Sequence, residues 1–108
     1  VNSLSARDLA DWLRQGRPCR LIDVREPEEW ALARLEGAEL LPLSTLSDWL
    51  PRLLEAPGNL PLVVYCHHGI RSARVCSMLL QHGVEQVWNL SGGVDSWSLD
   101  VDTSIPRY

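Results

Sequence analysis

The sequence predicts an α/β domain of three layers, a mostly parallel sheet with helices on both faces. Three observations carry this. Short apolar runs alternate with segments of helical period. Gly and Pro turn signals separate them. At 108 residues the chain can build one core but not two, so residues 1–108 are read as a single domain.

Taken in order, Ser5 with Asp8 three residues on is a capping pattern, and Leu9, Trp12 and Leu13 follow at helical spacing until Gly16. Leu21-Ile22-Asp23-Val24 is a strand interrupted by a carboxylate. Asp23 can bond a loop backbone, pair with an arginine such as Arg25, or act as a general acid or base. Pairing is the expectation, because buried charges persist when paired. Pro27 with acids around it opens a short helix that ends before Gly37. Glu39 to Leu43 is a second strand, brief or at an edge because of Pro42. Ser44 or Ser47 opens a helix carrying Leu46, Trp49, Leu50, Leu53 and Leu54, with a kink or a late start at Pro51. After the turn at Ala56 to Asn59, Leu62 to Tyr65 is a buried strand. Ser72 caps a helix over Ala73 to Gln81, which puts Val75, Cys76, Leu79 and Leu80 on its apolar face. Glu85 to Leu90 is the last strand, Asn89 to Gly93 a turn and Val94 to Trp97 a short helix. Leu99 to Tyr108 has no periodicity.

Composition narrows the function classes. Net charge is −4 and all ten basic residues are arginine, which excludes lysine Schiff-base chemistry. An acidic balance without a basic run argues against a nucleic-acid partner. No apolar run approaches the roughly 18 residues of a membrane span. Cys19, Cys66 and Cys76 are odd in number and form no Cys-x-x-Cys pair. A disulfide framework is therefore not expected, a reducing compartment is, and the cytoplasm is the expected location. Finger-like ligand spacing is absent, so neither a metal nor a cofactor is expected.

The chemistry centres on Cys66-His67-His68-Gly69-Ile70-Arg71-Ser72, a loop between a buried strand and a helix start. Only the thiolate is a good nucleophile. Loop amides, the helix N-terminus and the Arg71 cation all favour it at Cys66, and His67 or His68 can add to them. Gly69 lets successive N–H groups turn inward as an anion-binding nest. Arg71 could grip a sulfonate or phosphate with two parallel hydrogen bonds. Cys76 reads as a small buried hydrophobe, and Cys19 likewise.

These residues resemble the active-site loop of the rhodanese family of sulfurtransferases. Asp23-Val24-Arg25 with Glu28, Glu36-Gly37-Ala38 and Gly92-Gly93-Val94-Asp95-Ser96-Trp97 are similar to family features and occur in the same order. The resemblance implies a five-stranded parallel sheet and a two-step transfer through a Cys66 persulfide, from a small anionic donor such as thiosulfate to an acceptor such as cyanide or a thiol. It implies that His67, His68, Gly69, Ile70, Arg71 and Ser72 form the donor-binding loop, with Arg71 on the donor anion, and that Asp23 and Arg25 are structural. Four residues separate Cys66 from Arg71. Related phosphatases and arsenate reductases carry one more, so that alternative is disfavoured. His67 stands where many single-domain thiosulfate enzymes have a lysine or arginine. The ending Val101 to Tyr108 resembles tails of rhodanese domains attached to activating enzymes of ubiquitin-like proteins. That suggests an alternative, a persulfide relay or interaction module that delivers sulfur to an acceptor protein.

Overall fold

Side chains alternate across a strand, so an apolar run with no polar face must be covered on both sides. Leu62-Val63-Val64-Tyr65 is such a run, and all four residues are buried. In the computed structural model, which describes residues 1–108, this run is the central strand of a five-stranded parallel sheet.

The elements are β1 (Asn2–Leu4), α1 (Ala6–Arg14), β2 (Arg20–Asp23), α2 (Pro27–Leu32), β3 (Glu39–Leu40), a 3₁₀ turn (Leu43–Thr45), α3 (Leu46–Glu55), β4 (Leu62–Tyr65), α4 (Ile70–Gln81), β5 (Val87–Leu90) and α5 (Gly93–Asp100). Sheet order is β1-β5-β4-β2-β3. Ile22, Leu62, Val64, Cys66 and Val87 meet α3 and α4 through Trp49, Leu53, Val75, Cys76 and Leu79. On the other face Leu21, Val63, Tyr65 and Leu90 meet α1 and α5 through Leu9, Val94 and Trp97. Each fully buried side chain of this size contributes about 1.5–3 kcal/mol, and the two clusters clamp the sheet between the helix layers.

Several local expectations needed correction. Asn2–Leu4 is a strand, paired in parallel with β5, although three residues carry too little pattern to announce it. β3 is two residues long, at the sheet edge. Beyond it the Leu41 and Leu43 amides still donate to Asp23 and Val24 carbonyls, so Pro42 loses no ladder bond. Pro51 lies inside α3, not at a late start. The bond it forfeits would have gone to Ser47, which is exposed, so water can serve the carbonyl. Helix α4 begins at Ile70 rather than Ala73, because Gly69 takes φ +99° and serves as the N-cap. Helix α5 runs to Asp100, beyond Trp97. No helix is long and apolar enough to cross a membrane.

Candidate active site

Ligands of open parallel sheets gather at the carboxyl ends of the strands. Cys66 follows β4 there, and only 1 % of its surface is exposed. Its Sγ accepts from the Gly69 amide at 3.1 Å and lies 3.4 Å from both the amide and the hydroxyl of Ser72. Burial by itself raises the thiol pKa. The Ser72 hydroxyl and the amides of Ser72, Gly69 and His68 outweigh burial and leave the pKa below its ordinary value.

Two supports aim these amides inward. The Cys66 and His67 carbonyls accept from the Val94 and Asp95 amides at 2.9 and 3.1 Å, at the start of α5. Their own peptide groups are thereby anchored outside the cradle. Gly93 makes the approach possible: it has φ +59°, and a Cβ there would lie 2.3 Å from the Cys66 carbonyl oxygen. Gly93→Ala is expected to destabilise the fold by about 1–3 kcal/mol, read as a lower urea midpoint. A wild-type midpoint would show that the two backbones can separate freely.

Asn89 on β5 is the second support. Its Nδ2 donates to the Gly69 carbonyl at 3.1 Å, and its Oδ1 accepts from the Ser72 hydroxyl at 2.5 Å. Ser72 has one hydroxyl proton for two acceptors, Asn89 and the sulfur. It can therefore swing toward Sγ when that atom gains negative charge.

Arg71 is committed elsewhere. It places two hydrogen bonds on Glu29 of α2, at 2.6 and 2.9 Å. The bonds from Arg71 oppose burial and hold the Glu29 carboxyl down at about 2. The structure thus pairs Arg71 with an acid, whereas the sequence reading left it free for a donor anion.

Asp23 and Arg25 are fully buried and joined side by side, with the Arg25 guanidinium at 2.7–3.1 Å from both carboxylate oxygens. Arg25 also bonds the Ala33 carbonyl and the Tyr108 hydroxyl. His67 is half-buried and stacks between His68 and Tyr108, with both centroid distances 3.9 Å. Burial and then the neighbouring His68 lower its pKa, so it is mainly neutral at neutral pH. His68 is exposed, 3.9 Å from Asp95. Ile70 points outward and is 68 % exposed at the loop's rim. Burial pushes the Cys76 thiol up to about 12. No group of three or more His, Cys, Asp or Glu side chains is arranged to hold a metal.

Sequence reasoning missed Glu29, Asn89 and Tyr108. Asn89 left one usable signal, an amide in a strand of otherwise apolar residues. Glu29 closes a capping box with Glu26, which accounted for it locally and hid its second role.

A thiol ringed by amides where a central parallel strand passes into a helix defines a class of α/β domains that handle sulfur or oxyanions at a cysteine. Within it the chain belongs to the rhodanese-like family, since the family model described as "Rhodanese-like domain" matches residues 5–100. The chain is 33 % identical over 98 residues to a sulfurtransferase of Allochromatium vinosum, covering 91 % of this chain and 89 % of that protein. It is 33 % identical over 107 residues to a probable adenylyltransferase/sulfurtransferase MoeZ of Mycobacterium tuberculosis, covering 99 % of this chain but only 27 % of that relative's length. The crystal structure of a rhodanese-like domain protein from Staphylococcus aureus superposes with TM-score 0.77 at 29 % identity, over 90 % of this chain and 91 % of that one. The family and these relatives support sulfur transfer as the class of reaction.

Proposed function

We propose that the protein is a sulfurtransferase that carries sulfane sulfur as a persulfide on Cys66. The observation that supports this most is the hydrogen-bonded setting of Sγ, within a loop of four residues between Cys66 and Arg71. In the first step the Cys66 thiolate attacks the outer sulfur of the donor. A sulfur–sulfur bond forms, the donor's own bond to that sulfur breaks, and the donor remainder leaves with the electron pair (sulfite, when the donor is thiosulfate). The outer sulfur then carries the negative charge, which the loop amides and the Ser72 hydroxyl receive. In the second step an acceptor nucleophile attacks the outer sulfur, and Cys66 leaves as thiolate. No net oxidation occurs.

Charge accounting favours a second reading of the donor. Arg25, Arg71 and Arg107 are paired with Asp23, Glu29 and Asp95. A free dianion such as thiosulfate therefore meets no uncommitted arginine among these three, and His67 is mainly neutral. Transfer from another persulfide to an acceptor protein suits such a site better. The pairing of adenylyl and sulfur transfer in the name of the MoeZ relative supports an acceptor of that kind.

The test is mass spectrometry after incubation with thiosulfate or with cysteine persulfide. One added sulfur on the Cys66 peptide is expected from both, at lower donor concentration for the persulfide. Sulfur on Cys19 or Cys76 alone would overturn the assignment, as would Cys66-dependent hydrolysis of an aryl phosphate without sulfur uptake. Equal or better loading by thiosulfate would return the donor site to a free anion.

A further inference from the structure

We propose that Tyr108 is a positioning residue that clamps both ends of the Cys66–Arg71 loop. The inference rests on the reading that Cys66 is the sulfur-carrying thiol, and it names what holds the cradle in shape.

The hydroxyl acts on the far end of the loop. It donates to Glu29 Oε2 at 2.6 Å, and Glu29 holds Arg71 through both carboxylate oxygens. The same hydroxyl accepts from Arg25 at 2.7 Å, and Arg25 is locked to Asp23 in the interior. Tyr108 therefore joins a rigid buried ion pair to the half-exposed pair that ends the loop. The direction of these bonds is settled by charge. Glu29 is a carboxylate at any ordinary pH, and burial with the Glu29 contact pushes the phenol up to about 12. The phenol keeps its proton and gives it to Glu29, while arginine can only donate.

The ring acts on the near end. It lies nearly parallel to His67, with centroids 3.9 Å apart and planes 7° from parallel. His67 Nε2 is buried and has no hydrogen-bond partner, so that nitrogen does not anchor the imidazole. The imidazole is stacked between Tyr108 and His68. His67 follows Cys66 directly, and its carbonyl is the one bonded to Asp95.

The segment that presents Tyr108 is itself docked. Arg107 places two hydrogen bonds on Asp95, at 2.9 and 3.3 Å. The Ser98 hydroxyl donates to the Ile105 carbonyl, and Ile105 packs against the α1–α5 side of the core. Ser104 closes a turn on Asp102. Although Tyr108 is 40 % exposed, its two functional ends both reach inward. The α5 amides and Asn89 hold the loop's carbonyls. The clamp adds a constraint on the side chains at its two ends, His67 and Arg71.

Two variants separate the ends of the clamp. Tyr108→Phe keeps the ring and removes the bridge to Glu29 and Arg25. Tyr108→Leu removes both. The readout is the pH midpoint of iodoacetamide alkylation at Cys66, followed on its own peptide. It reports how well the amides hold the thiolate and needs no sulfur chemistry. The midpoint is expected to rise by about half a unit or more in Tyr108→Leu, with a smaller rise in Tyr108→Phe. Persulfide loading at neutral pH should fall by about tenfold in Tyr108→Leu. Wild-type midpoints in both variants would overturn the proposal. If Tyr108→Leu does not fold, Tyr108→Phe decides alone, since a rise supports the bridge and no rise removes it. Shifted midpoints in a protein that never takes up sulfur would keep the clamp and reject the sulfur reading, so the two can fail separately.

Discussion

Cys66→Ala is expected to take up no sulfur from either thiosulfate or a persulfide, with its transfer rate falling to that of the uncatalysed exchange. On the proposed function, the nucleophile is the one part of the site that neighbours cannot replace. The cradle can stabilise a charged sulfur but cannot form the bond to it, and removing a catalytic nucleophile costs roughly four to six orders of magnitude in rate. Alanine still fits the strand end, where Cys66 packs with Val64 and Val75. It does leave the Gly69 and Ser72 amides without their sulfur acceptor, at about 1 kcal/mol each. A thermal melt run alongside distinguishes lost chemistry from lost fold. Sulfur uptake by a folded Cys66→Ala protein, mapped to Cys19 or Cys76, would sink the assignment. Cys76 is a poor substitute because its thiol stays protonated in the core.

Arg25→Met is expected to destabilise the fold by about 3–5 kcal/mol, because it strands the Asp23 carboxylate in the interior without a partner. A domain of this size holds roughly 5–15 kcal/mol in total, so a large fraction of molecules should be unfolded at physiological temperature. Asp23 and Arg25 are both completely buried, and Arg25 also satisfies the Ala33 carbonyl. The companion variant Asp23→Asn/Arg25→Met should be more stable than the sum of the single losses predicts, since it removes the orphaned charge. Urea denaturation of Arg25→Met, Asp23→Asn and the double variant checks this. A loss under about 1 kcal/mol in Arg25→Met would mean that water reaches Asp23, contrary to its burial.

Much of the site was legible because its parts are close along the chain. The Cys66 loop, its glycine and the helix after it lie within the sixteen residues from Cys66 to Gln81, and local backbone preferences decide their form. The spacing from Cys66 to Arg71 needed only counting. The alternation of strands and helices, and so the sheet with two covered faces, followed from periodicity. Even there, short-range cues competed. Ser72 looked like a helix cap because its hydroxyl type suits one, yet Gly69 took that place and released Ser72 to face the sulfur.

What the sequence by itself determined is the layered fold, the family resemblance and the position of the Cys66 loop at a strand end, with Cys66 as the candidate nucleophile. The tertiary structure alone decided which groups hold the cradle. Arg71 meets Glu29 across 42 positions of chain, Ser72 meets Asn89 across 17, and Tyr108 reaches Glu29 and Arg25 across 79 and 83. Such contacts depend on strand order. β5 and β2 flank β4 on opposite sides, so Asn89 arrives from one side and the α2 acid from the other. No local pattern encodes that order, because it results from burying two apolar faces at once. The same physics turned Arg71 from an anion grip awaiting a substrate into half of an ion pair.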